Sequence, residues 1–169
     1  MPAFTVSTLV STPFSLGAGD WLTVSRFGAI HATNNAGGAV GGVGTHAIQI
    51  DGSVANLSST AGTSGIHLTS GADVVVIGAA GIVQGWSTGL LISAGGNTIS
   101  CAGTVRALDG SSGTGVDVNG ANNPIQFEPT GTVWGAESGI SVGSNTTFKN
   151  FGTVIASRLN GVEFNGDGN

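Results

Sequence analysis

Two carboxylates, Asp117 and Glu163, occupy the same place in a short motif that recurs along the chain. The motif is a glycine, an apolar residue, any residue and a second apolar residue, and it reads GVDV at 115–118 and GVEF at 161–164. If copies of the motif stack as neighbouring strands, these carboxylates lie two strands apart, or about 9.6 Å. That separation is near the spacing of the acid and the base in an inverting glycosidase. A solvated polar face explains the same pattern, so acid–base chemistry is kept as the alternative interpretation.

Calcium binding is the second chemistry that these residue types allow. Acidic, glycine-rich chains can bind Ca²⁺ through the nonapeptide repeat GGxGxDxUx, and the nearest candidates here are Asp109, Asp117 and Asp167. No complete copy of the repeat is present, and Ca²⁺ takes about six to eight oxygen ligands. We therefore expect no cofactor and no metal site, and we keep a structural calcium ion as an alternative.

The remaining reactive side chains are predicted to have structural roles. Ser87 lies in GWSTG at 85–89, which matches the G-x-S-x-G elbow of hydrolases, but a strand is predicted to follow it where the elbow needs a helix. His67 stands between two apolar residues of a strand and is expected to face solvent. Cys101 shares a strand face with apolar neighbours, which predicts a buried and inert thiol.

Two patterns repeat through the chain and predict the elements that carry these side chains. One is the glycine motif above, which occurs five times from residue 65 onwards. The other is a small residue, any residue and then Ile or Val, with starts 24, 28, 23, 28 and 21 residues apart. Its aliphatic members are Ile30, Val54, Ile82, Val105, Val133 and Val154.

Each period therefore contains three strands of three to five residues, which are too short to be stable alone. Stacked copies pair in parallel and bury a continuous core. We predict a right-handed parallel β-helix (β-solenoid) of about six rungs over residues 21–169, preceded by an N-terminal cap or first strand in residues 1–20. The segment 34–44 fits the period least well, and glycine and asparagine are expected to supply positive φ at the corners.

The position after the Ile/Val column is unusually apolar for an outward face. It holds His31, Ala55, Val83, Arg106, Trp134 and Ile155. Exposed apolar surface commonly marks a partner site, and Trp and Arg are frequent interface anchors. A corner loop (119–124 or 157–160) that folds over these residues is one explanation, and an interaction face at Val83, Arg106, Trp134 and Ile155 is the functional hypothesis.

The composition excludes several classes of protein. A net charge of −5 with four basic residues does not suit nucleic-acid binding, which needs clustered Lys and Arg. The apolar content of 40% is too high for a disordered chain. The charge-free stretch 74–105 consists of short β-branched runs separated by turn residues, so we predict strands there and no membrane span.

The run GTVWGAESGISVGSNTTFKNFGTVIASRLNGVEFNGDGN at 131–169 resembles the passenger β-helix of bacterial surface and secreted proteins. That group includes autotransporter passengers, filamentous-haemagglutinin-like adhesins and the solenoid regions of RTX-like proteins exported by type I secretion. The resemblance extends over residues 21–169. It implies an extracellular or cell-surface location and a role in adhesion, matrix or scaffolding.

These observations favour a non-catalytic extracellular β-solenoid that acts as an adhesin, a matrix protein or a filament scaffold. The alternatives are a carbohydrate-active β-helix enzyme and a calcium-stabilised secreted module. The expected partners are a second copy stacked end to end or a longer parent solenoid, because no capping element is predicted after the last strand, together with a host or matrix surface ligand.

Overall fold

The computed structural model describes residues 2–33, 37–128 and 130–169. In this part of the chain there are 21 strands and no helix, so no helix is long and apolar enough to cross a membrane. Each turn of the chain contributes three strands. In chain order they are β1 (Ala3–Val6), β2 (Leu9–Val10) and β3 (Phe14–Leu16); β4 (Trp21–Val24), β5 (Ala29–Ala32) and β6 (Gly38–Gly42); β7 (Ala47–Ile50), β8 (Ser53–Asn56) and β9 (Ser64–Leu68); β10 (Val74–Ile77), β11 (Ile82–Gly85) and β12 (Thr88–Ile92); β13 (Thr98–Cys101), β14 (Thr104–Ala107) and β15 (Thr114–Val118); β16 (Ile125–Phe127), β17 (Thr132–Gly135) and β18 (Ser138–Val142); β19 (Phe148–Asn150), β20 (Thr153–Ala156) and β21 (Asn160–Phe164).

The strands form three parallel sheets of seven strands each. Sheet 1 takes the first strand of every turn, sheet 2 the second and sheet 3 the third. This is the predicted β-solenoid, with six rungs of three strands from Trp21 to Phe164. The N-terminal segment, predicted as a cap or a first strand, adds one further strand to every sheet.

In-register parallel pairing places like residues on top of one another, and this produces the core. Alternate residues of each strand point inward, so each sheet supplies columns of aliphatic side chains. In sheet 3, for example, one column is Val40, Ile66, Leu90, Val116 and Ile140, all fully buried. Cys101 pairs with Ile77 and Phe127 in an inward column of sheet 1, which confirms the predicted core thiol. Burial raises the pKa of this thiol to about 12.

The register of β11 differs from the prediction by one residue. Val83, and not Ile82, pairs with Val54 and Val105 in the inward column of sheet 2. Val83 is 0% exposed and Ile82 is 41% exposed. Pairing of Ile82 with Ser53 and Thr104 aligns the preceding Gly81 with Gly52 and Gly103 of the adjoining turns. This pairing determines which of two β-branched residues faces inward.

Most corner glycines have a different role from the predicted one. Positive φ is confined to eight of the described residues, only five of them glycine. A column of six glycines, one per turn before a strand of sheet 2, instead packs against carbonyl groups of the neighbouring turn. A Cβ atom would come within 2.0–2.4 Å of such an oxygen at Gly28, Gly52, Gly81, Gly103, Gly131 and Gly152. Close approach between turns, rather than left-handed backbone, is therefore what requires glycine there.

Candidate functional site

The predicted interaction face lies on the outer surface of sheet 2, with one member changed. Pairing of β11, β14, β17 and β20 aligns Gln84, Arg106, Trp134 and Ile155. We call these four residues the sheet 2 stripe. Val83 was predicted as a member, and this is wrong because the register of β11 turns its side chain into the core.

Arg106 is held in place by its neighbour in the stripe. Its Nε and Nη2 both donate to Oε1 of Gln84, at 2.8 and 2.6 Å. The stripe runs beside an open groove that Arg106, Trp134 and Ile155 line together with Leu108. A hydrogen-bonded guanidinium therefore stands next to an indole and an aliphatic side chain on one sheet.

The stripe is open to solvent on its C-terminal half. Arg106 is exposed, Ile155 is 42% exposed and Trp134 is half-buried. The loop 119–124, one of the two proposed covers, joins β15 to β16 at the corner between sheets 3 and 1, and so lies away from sheet 2. The outward positions of the earlier turns, Ala55 and His31, are not open in the same way. Ala55 is fully buried, and Nε2 of His31 lies 3.0 Å from Oγ of Ser53.

A second polar ladder follows the outer surface of sheet 3, as predicted. The pairing of β9, β12, β15, β18 and β21 aligns His67, Leu91, Asp117, Ser141 and Glu163. Burial raises the pKa of Asp117; hydrogen bonds from Asn119 and Ser141 oppose the rise, and the charge of Glu163 adds to it. Glu163 accepts a hydrogen bond from Ser138 at 2.9 Å.

The three weak calcium candidates lie in three separate places. Asp109 follows β14 and accepts hydrogen bonds from Ser111 and Ser112, which lower the pKa of its carboxyl to about 2. Asp117 lies in β15, and Asp167 follows β21. Among the described residues, no group of three or more His, Cys, Asp or Glu side chains is placed to hold a metal ion.

The predicted surface histidine is only partly solvated. His67 faces outward on β9, as expected, but burial lowers the pKa of its imidazole. Ser87, in the GWSTG segment, accepts a hydrogen bond from the Gly62 amide, and β12 follows it directly. No helix is present there to complete a nucleophile elbow.

A buried polar column at the corner between sheets 3 and 1 is absent from the sequence-based prediction. One residue per turn belongs to it. Each lies two residues before the first inward apolar residue of a strand of sheet 1. These residues are Asp20, His46, Asp73, Asn97, Asn123 and Thr146, and the exposed Asn169 continues the column by accepting a hydrogen bond from the Thr146 amide. We call them the corner ladder. The regular distance to the following inward residue is the signal that could have revealed it.

Side-chain amides connect successive turns of the corner ladder. Oδ1 of Asn97 accepts from the Asp73 amide, and Oδ1 of Asn123 accepts from the Asn97 amide, both at 2.9 Å. In the same column the His46 imidazole and the Asp73 carboxyl form a fully buried pair, with Nδ1 and Oδ1 2.8 Å apart. Both groups of this buried pair are titratable, and His46 Nε2 and Asp73 Oδ2 have no hydrogen-bond partner.

An exposed apolar patch on sheet 1 was also not predicted. Trp21 is 55% exposed and Val74 is 44% exposed, and together with Ala47 they line a groove on the outer surface. Trp21 and Val74 are the first residues of β4 and β10.

Comparison of the chain with protein-family models, with curated proteins and with solved structures finds no match.

Proposed function

We propose that this protein is a non-catalytic, extracellular β-solenoid that presents the sheet 2 stripe to a surface ligand. The proposed role is that of an adhesin or matrix scaffold. The observation that carries the proposal is the stripe itself, in which Arg106, Trp134 and Ile155 stand side by side on the outside of one sheet.

The chemistry of the stripe suits protein recognition. Trp and Arg are over-represented among residues that dominate binding energy, and contiguous exposed apolar surface commonly marks a partner site. Arg106 is already oriented by Gln84, so less side-chain entropy is lost when a partner binds. A parallel sheet backed by a packed core keeps the three side chains at fixed spacing.

The extracellular location follows from the resemblance to bacterial passenger β-helices over residues 21–169. Proteins of that kind present solenoid faces outside the cell, and a low content of charged residues (8%) with many glycines is compatible with this use. The proposed ligand is a host or matrix protein whose surface offers apolar groups next to a carboxylate for Arg106.

The test is a binding assay with the purified chain on immobilised collagen, fibronectin and laminin. We expect saturable binding to at least one of them, and a loss of affinity of about tenfold or more in Trp134→Ser, because this variant removes the largest anchor of the stripe. Trp21→Ser is the matched control, since it removes an exposed tryptophan from sheet 1. Absence of binding to all three proteins, or equal losses in the two variants, would contradict the proposal.

A further inference from the structure

The asparagines of the corner ladder use both ends of their amide groups. Each Oδ1 accepts the backbone amide of the ladder residue one turn earlier, while Nδ2 donates to the carbonyl three residues back in the chain. Asn97 donates to the Ala94 carbonyl and Asn123 to the Gly120 carbonyl, both at 2.7 Å. Asn169 repeats the contact with Gly166 at 3.0 Å. A complete ladder position therefore needs one acceptor and one donor.

Asp73 occupies such a position with a carboxyl group. Its Oδ1 accepts from the His46 amide and from His46 Nδ1, both at 2.8 Å. Its turn has the same form as the turn of Asn97, since Ala72 has a φ of 64° where Gly96 has 78°. The Ser70 carbonyl, three residues before Asp73, therefore corresponds to the carbonyls that accept from Asn97 and Asn123. Oδ2 of Asp73 is fully buried and has no hydrogen-bond partner, because an ionised carboxylate has no hydrogen to donate.

The His46 imidazole cannot easily supply the missing proton. Gly42 stands in register with Leu16 and Leu68, so a core position has no side chain there. The imidazole fills this space, since a Cβ atom on Gly42 would lie 2.7–2.8 Å from its Cε1 and Nε2. Nε2 is buried without a partner, and a charged imidazolium would leave its second N–H unsatisfied in the core.

Few other charges act on this pair. Asp20 lies one turn earlier in the corner ladder, where its Oδ2 accepts from the Gly17 amide at 2.7 Å. The adjoining strands β7, β9 and β10 present apolar side chains to the core, and their one titratable group, His67, faces outward. The state of the pair is therefore determined mainly by its own two groups and by their burial.

We propose that Asp73 is protonated in the folded protein in mild acid, that Oδ2–H then donates to the Ser70 carbonyl as an asparagine amide would, and that this ladder position contributes more to the stability of the solenoid as the pH falls. Protonation turns an incomplete ladder position into a complete one. It also removes an anion from the interior. The buried pair thus acts as a pH-sensitive element within the second and third rungs.

The direction of the effect follows from proton linkage. Burial raises the pKa of Asp73, and its hydrogen bonds from His46 only partly oppose the rise. Between the ordinary carboxyl pKa of about 3.9 and the raised value, the folded chain binds more protons than the unfolded chain. The contribution of Asp73 to the stability of the fold is therefore present in acid and is lost as the pH rises through the pKa of Asp73 in the folded chain.

The experiment compares thermal unfolding of the wild type and of Asp73→Asn between about pH 4 and pH 8. Asparagine fits the ladder at every pH, so we expect Asp73→Asn to raise Tm by about 2–4 °C at the alkaline end and to differ little from the wild type at the acidic end. The reverse substitution, Asn97→Asp, is the matched variant one turn later. It should lower Tm at the alkaline end and recover part of the loss in acid.

A second measurement does not depend on variants. Carbon NMR of the Asp73 carboxyl in the wild-type protein should give a titration midpoint above the usual value of about 3.9. A midpoint at or below that value would overturn the proposal. So would an Asp73→Asn protein whose Tm has the same pH dependence as the wild type.

Discussion

Position 103 requires glycine because no side chain fits there between its own turn and the preceding turn. A Cβ atom there would lie 2.3 Å from the Gly81 carbonyl oxygen and 2.4 Å from that of Gly78. Both obstacles are backbone atoms, so no side-chain rotation can relieve the contact. Gly110 is a useful contrast, since a Cβ at that exposed position would meet nothing within 4 Å.

We expect Gly103→Ala to lower the free energy of unfolding by about 1–3 kcal/mol, the usual effect of forcing an extra methyl group into a packed region. Gly110→Ala should change it by no more than about 0.5 kcal/mol. Urea unfolding of both variants measures the difference. Equal effects would show that the glycine column is not closely packed between turns.

At the level of the strands, parallel in-register pairing determines which residues are buried. In β11 the two β-branched neighbours Ile82 and Val83 are equally suited to the core, and the sequence pattern assigned the wrong one. Pairing with Val54 and Val105 places Val83 inside. A substitution at Val83 should therefore cost more stability than one at Ile82, because only the inward side chain is fully removed from water.

Threonine substitutions distinguish the two registers. Val83→Thr keeps the shape of the side chain but buries a hydroxyl group, which we expect to cost about 1–3 kcal/mol. Ile82→Thr changes a residue that is 41% exposed and should cost about 1 kcal/mol or less. The measurement is again chemical unfolding. A larger loss for Ile82→Thr would contradict the observed register.

At the scale of the whole molecule, apolar side chains are exposed at both ends of the solenoid. Phe151 follows the last strand of sheet 1 and is exposed, as is Phe164 in β21, while Leu9 is exposed in β2. The strands of each sheet run in one direction, so the outer edge of the last turn matches the outer edge of the first. We propose that a second copy stacks on the last turn and continues all three sheets.

End-to-end stacking predicts association that increases with concentration in sedimentation velocity. Phe164→Lys should reduce it, because Phe164 stacks on the buried Val142 and a lysine there would be desolvated without a partner in the stack. Leu57→Lys is the control, since Leu57 is also exposed but lies in the corner after β8, away from both ends. A chain that remains monomeric at all concentrations would contradict the proposal.

Much of this architecture is present in the sequence alone. The recurring Gly-x-aliphatic and Gly-apolar-x-apolar patterns determined the three-strand period, the parallel stacking, the inward Cys101 and the outward ladder that contains Asp117 and Glu163. These features depend on residues close together in the chain. The alternation of apolar and polar residues along each short strand indicates which face is buried.

Only the tertiary structure decided which side chains meet across turns. The local pattern fits both Ala80-Gly81-Ile82 and Gly81-Ile82-Val83, and the pairing of β11 with β8 and β14 selects the second, in which Val83 is the inward residue. The pairing of His46 with Asp73 joins residues 27 positions apart, and their shared column buries both side chains completely. Contacts of this kind arise from the exact length of each corner, which the strand periodicity leaves free.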